Sequence, residues 1–138
     1  MTTVLLDANV LIALTDSDHE HHARASAWAE SAPSFALCPI TEGAFIRYHL
    51  RRGQSIQATQ ALLKEVETMP RCEFWPDAVS YATADLSHVI GHRQVTDAYL
   101  AALVAARPRT TLITFDQALA SAFPDLAELV PETTSPAG

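Results

Sequence analysis

Along the first 130 positions, short apolar runs alternate with longer stretches in which apolar residues recur every three or four places. The run VLL at 4–6 predicts a buried strand, and FALC at 35–38, CEFW at 72–75, TLIT at 111–114 and LAELV at 126–130 predict four more. Between them, helical spacing continues over 8–14, and the Ala-rich stretch 19–32 predicts a helix that ends before Pro33. Pro39 and Thr41 open a further helix that stops at Gly53, and 55–69 gives another stopped by Pro70, so the two predict an αα-hairpin. Asp77 is placed to cap a helix over 77–89 ending at Gly91; a long amphipathic helix follows over 95–107, and a short one over 117–123. Short strands alternating with helices imply an α/β fold, a parallel sheet with helices on both faces.

Length and composition narrow the class. The 138 residues, 49% of them hydrophobic, suit one domain, expected over 1–130, with the low-complexity tail 131–138 expected to be flexible. A chain of this size buries about 70% of its unfolded surface and needs no disulfide or structural metal to fold. Cys38 and Cys72 stand far apart and read as packing residues. The N-terminus has no basic segment and carries Asp7 within its apolar stretch, and no apolar run nears the ~20 residues of a membrane helix, so a cytoplasmic protein is expected. The net charge of −7 argues against a broad basic surface for nucleic acid. A polyanionic substrate would need a local attractor.

The carboxylates supply a candidate. In open α/β sheets the ligand crevice lies beyond the carboxyl ends of the strands. Asp7 follows the first run, Glu42 comes shortly after the second, and Asp116 follows TLIT by one residue; Asp97 sits in the first turn of the helix beginning at 95. Each acid alone is an ordinary turn or capping residue. Four in one crevice repel one another unless a cation is present, and hard divalent ions of the magnesium type take such oxygen ligands. An ion held there would polarise a phosphoryl oxygen and lower the pKa of an attacking water.

Other chemistries fit less well. The four glycines exclude both G-x-G-x-x-G and the P-loop, and there is no G-x-S-x-G elbow. A phosphoaspartyl phosphatase would want a second Asp where Asn9 stands, and Lys64, the only lysine, is in the wrong place for a receiver domain. His19, His21 and His22 lack the continued ligand spacing of a zinc site and read as a solvated helix start. Arg47, Arg51 and Arg52 make a local basic strip, either a solvated face or a phosphate contact.

The strings LLDANVLIAL, CPITEGAFIR, GHRQVTDAYLAALV and LITFD, in this order and spacing, resemble those of PIN-domain ribonucleases of the VapC type, the toxins of bacterial toxin–antitoxin pairs. The resemblance spans nearly the whole chain. It implies a PIN-like, Rossmann-like three-layer α/β/α sandwich whose central parallel sheet has about four to five strands. It further implies that Asp7, Glu42, Asp97 and Asp116 bind Mg2+ or Mn2+ and cleave RNA, that Asn9 and Thr114 support them, and that the protein is a homodimer held in check by a cognate antitoxin. Relatives often carry a glycine turn after the last acid, whereas QALASA follows Asp116 here. Two alternatives remain at this point: a catalytically silent binding module on the same fold, and a metal-dependent phosphatase. The αα-hairpin, with Phe45, Ile46, Leu62, Leu63 and Val66, is expected to offer a partner an apolar groove beside the acids, into which an Arg or Lys of that partner would reach.

Overall fold

The computed structural model describes residues 3–132. Five strands, β1 (Thr3–Leu6), β2 (Ser34–Leu37), β3 (Cys72–Phe74), β4 (Thr110–Thr114) and β5 (Ala127–Leu129), form one all-parallel sheet in the order β3-β2-β1-β4-β5. Six helices connect and cover them: α1 (Ala8–Thr15), α2 (His22–Ser31), α3 (Pro39–Arg51), α4 (Ile56–Glu67), α5 (Val95–Ala105) and α6 (Gln117–Ala122). Of the tail expected to be flexible, residues 133–138 lie outside the described residues.

Alternation along the strands builds the three layers. Leu5 pairs in register with Ala36 and Leu112, and these point to the face covered by Tyr99, Leu100, Leu103 and Val104 of α5 and Leu119 of α6. Their neighbours Val4, Leu6, Phe35, Leu37 and Ile113 point the other way, against Val10 and Leu11 of α1, Phe45 of α3 and Leu63 of α4. Both faces of the central strands are therefore apolar, which is why β1, β2 and β4 read as continuous runs. The hairpin turn between α3 and α4 depends on Gly53, whose φ of 89° lies in the left-handed region that favours glycine.

The expected helix over 77–89 does not form. That stretch is a chain of turns ending in a short 3₁₀ turn, His92–Gln94. Its polar side chains close local bonds instead: Ser80 Oγ accepts from the Ala82 N–H, Thr83 Oγ1 donates to the Ser80 carbonyl, and Asp85 Oδ1 accepts from both the backbone N–H and the hydroxyl of Ser87. α2 likewise begins at His22 rather than 19. Asp16 Oδ1 accepts from the Asp18 N–H, and the His21 N–H donates to His19 Nδ1, so the chain turns twice before the helix starts.

The groove expected on the αα-hairpin is filled from within. Phe45 and Leu63 are buried in the core, and Ile46, Leu62 and Val66 pack against the same cluster. No described helix is long and apolar enough to cross a membrane.

Candidate active site

The strand order reverses between β1 and β4, which are hydrogen-bonded neighbours although the chain leaves them in opposite directions across the sheet. This is the switch point at which an open α/β sheet presents a crevice. Asp7 leaves the end of β1 and caps α1, one carboxylate oxygen accepting from the Ala8 N–H at 2.8 Å. Asp116 stands just past the end of β4 and caps α6, accepting from the Ala118 and Leu119 N–H groups at 2.9 and 3.2 Å.

Thr114, fully buried, joins the two strand ends. Its hydroxyl donates to Asp7 Oδ2 at 2.7 Å and accepts the Asp116 N–H at 2.9 Å. Asn9 closes the loop, donating from Nδ2 to Thr114 Oγ1 at 3.3 Å and accepting the Phe115 N–H at 3.2 Å. A side-chain carboxamide two residues after one acid and a hydroxyl two residues before another thus lock both acids to one frame.

Asp97 comes from the opposite layer, in the first turn of α5. Burial raises its pKa to about 6, with the charges of Asp7 and Asp116 adding to the effect. The Asp7 carboxyl is also raised, chiefly by burial; its bonds from Thr114 and Ala8 oppose the rise and the Asp116 charge adds to it. Asp7, Asp97 and Asp116 therefore share one electrostatic environment. Among the described residues no Lys, Arg or His lies in salt-bridge range of any of them.

Glu42 is placed apart. It sits in the first turn of α3, after β2, and its field comes from Glu67 at the end of α4 and from Asp77. Burial, followed by the interaction with Glu67, pushes its pKa well above the usual carboxylate range. Asp77 stood out in the sequence only as a helix cap and Glu67 not at all, because their approach to Glu42 depends on how α4 and the segment after β3 fold back.

Arg47, Arg51 and Arg52 are exposed on and after α3. Arg52 Nε lies 3.7 Å from Asp16 Oδ2, which also accepts from Tyr48 Oη at 2.6 Å.

As arranged, no three Asp, Glu, His or Cys side chains among the described residues converge closely enough to hold a metal ion. The donor set nevertheless suits one: three hard oxygen donors stand without a basic partner, the Asp7 and Asp97 carboxyls are both raised, chiefly by burial, and a divalent cation is the group that relieves this. A larger cavity, about 630 Å³, lies elsewhere, between α5, α6 and the turns after β3. A smaller one of about 70 Å³ reaches Asp97 and shares His88, Ala98, Ala122 and Phe123 with it. We assign the chemistry to the carboxylate crevice, because nearly half of the residues lining the larger cavity are alanine and it offers no comparable group of carboxylates at strand ends.

A parallel sheet with acidic residues at its switch point is a framework shared by α/β hydrolytic enzymes, and comparison with known proteins is specific about which kind. The PIN domain family model matches residues 4–123. The chain is 47% identical to Ribonuclease VapC29 of Mycobacterium tuberculosis over 133 residues, covering 96% of this chain and 99% of that one. It is 40% identical to Ribonuclease VapC39 of the same organism, covering 93% and 99%. Among solved structures, Mycobacterium tuberculosis VapC20, a sarcin–ricin loop cleaving toxin, superposes with a TM-score of 0.73 at 16% identity, covering 93% and 99%. FitAcB from Neisseria gonorrhoeae superposes at 0.58 with 21% identity, covering 90% and 95%. The chain belongs to the PIN-domain family, in its VapC branch.

Proposed function

We propose that the protein is an endoribonuclease, the toxin of a toxin–antitoxin pair, that hydrolyses RNA phosphodiester bonds at the crevice between β1 and β4. The observation that carries this reading is a VapC-type PIN chain in which Asp7 and Asp116 stand at the switch point and the charges of both act on Asp97. Asp7, Asp97 and Asp116 would hold Mg2+ or Mn2+, with Glu42 on the β2 side of the acidic mouth. When bound, the ion supplies Lewis acidity toward a phosphoryl oxygen and a water of lowered pKa. The chain's own contribution is positional. Thr114 and Asn9 fix the orientations of Asp7 and of the turn to Asp116, and Asp97 closes the crevice from α5.

The partner belongs to the same reading. One solved neighbour is VapBC2 of Rickettsia felis bound to a promoter DNA fragment, which superposes at a TM-score of 0.61 with 16% identity. We infer a cytoplasmic homodimer neutralised by a cognate antitoxin, with 1–130 as its single folded unit.

The test is direct. Purified protein with Mg2+ should cut single-stranded or looped RNA and leave a generic phosphomonoester intact, a chelator should stop the cleavage, and Asp97→Asn should abolish it while the circular dichroism spectrum stays unchanged. Undiminished cleavage by folded Asp97→Asn protein would overturn the assignment.

A further inference from the structure

Next to Asp116 in the chain stands an aromatic stack that the carboxylates do not explain. Phe115 lies between Thr114 and Asp116, and its backbone N–H is held by Asn9. Its ring is half-buried, packing against the edge of the core beneath α1, and the imidazole of His21 stacks on it, centroids 4.7 Å apart and planes 17° from parallel. The Arg24 guanidinium stands 5.0 Å from the same ring and is tied down by the carbonyls of Val130, and of Pro131 at 3.1 Å. These bonds pin the start of α2 over the carboxyl ends of β4 and β5. His19 lies against His21 at 5.7 Å, and the exposed Glu20 carboxylate is 3.6 Å from His21 Nε2.

The His21 side chain remains 37% exposed although one face is stacked on Phe115. The result is a flat, partly open ring, held rigid by a second ring beneath it, whose supporting residue is bonded in sequence to Asp116. This chain carries a net charge of −7, so counterion release by a basic surface gives it little hold on RNA. Stacking of unpaired bases on aromatic rings needs no such charge and tolerates any base.

We propose that His21, seated on Phe115, is a stacking platform for an unpaired base of the RNA next to the scissile phosphate. This rests on the ribonuclease reading above. Arg24 and Asn9 act as positioning residues that fix the lower ring. His21 makes no side-chain cap to α2, so its replacement leaves the helix start intact.

The experiment walks 2-aminopurine along a short single-stranded RNA, reading its fluorescence on binding to the cleavage-defective Asp97→Asn protein, and follows cleavage kinetics with otherwise wild-type protein and Mg2+. One position should be quenched. Adding His21→Ala should remove that quenching, and in the active protein it should raise KM by about 5- to 150-fold, the worth of one stacked base, while kcat changes less. His21→Phe should restore both. An abasic nucleotide at the quenched position should weaken wild-type binding by a similar factor and cost His21→Ala nothing further. Equal behaviour of His21→Ala and wild type in a protein that cleaves RNA would overturn the platform alone. Absence of any cleavage by the wild-type protein with metal would instead overturn the ribonuclease reading and the platform with it.

Discussion

Thr114 shows how one buried hydroxyl sets the state of two acids. It donates to Asp7 and accepts from the Asp116 N–H and from Asn9, so Thr114→Val keeps the shape and removes all three bonds. Losing the donor leaves burial of Asp7 less opposed and raises its pKa further. We expect about a 10- to 100-fold loss of cleavage and a loss of about 1–3 kcal/mol in stability, measured by RNA cleavage and urea titration on the same preparation. Asp97 makes the opposite case. Its folded pKa of about 6 lies above the ordinary 3.8, so the metal-free folded protein takes up a proton between those values and loses stability as pH rises through 6. Asp97→Asn should therefore stabilise the metal-free protein at pH 7 by about 1 kcal/mol, once solvent screening of a half-exposed group is allowed for. At pH 4 the gain should vanish, and thermal melts at the two pH values in chelator test this. A variant that is no more stable than wild type at pH 7 would mean that the three acids do not repel one another.

At the scale of elements, the central strands were legible because a parallel sheet covered on both faces demands continuous apolar runs, and VLL, FALC and TLIT satisfy it; the edge runs CEFW and LAELV carry Glu73 and Glu128 and are partly exposed. The stretch 77–89 misled because Val79, Ala82, Leu86 and Val89 have helical spacing, while Ser80, Thr83, Asp85 and Ser87 offer the backbone nearer partners. Strand-end positions identified Asp7 and Asp116, but no local pattern tells that Glu42 turns toward Glu67 and Asp77. The His21–Phe115 stack was equally hidden, since it needs α2 to arrive over β4. The same helix geometry separates the three arginines that the sequence groups together. Along α3 a rise of 1.5 Å per residue puts Arg47 about 7 Å and Arg51 about 13 Å from the level of Glu42, and Arg52 is engaged with Asp16 and Tyr48. Arg47→Gln should therefore lower the slope of log affinity for RNA against log salt by about one. Arg52→Gln should leave that slope unchanged, and equal effects of the two would place RNA along the whole helix.

For the whole molecule, the charge distribution bears on how the activity is controlled. With a net charge of −7 and with Asp7, Asp97 and Asp116 out of salt-bridge range of any described basic residue, the metal-free crevice attracts cations of any origin. A divalent ion and an arginine from another protein would relieve the same repulsion, the arginine by donating a bidentate pair of hydrogen bonds. An antitoxin segment that places an Arg or Lys in the crevice should then compete with metal. The residues expected to form its apolar groove are committed to the core, so the anchor must lie elsewhere on the rim. Titrating a peptide from the cognate antitoxin should show its affinity falling as Mg2+ rises, and binding should abolish the stabilisation of the metal-free protein that otherwise appears on lowering the pH from 7 to 5. Replacing every basic residue of the peptide should remove both effects. Inhibition that keeps its strength after that replacement, and that is indifferent to Mg2+, would show that the partner blocks RNA by bulk and leaves the carboxylates untouched.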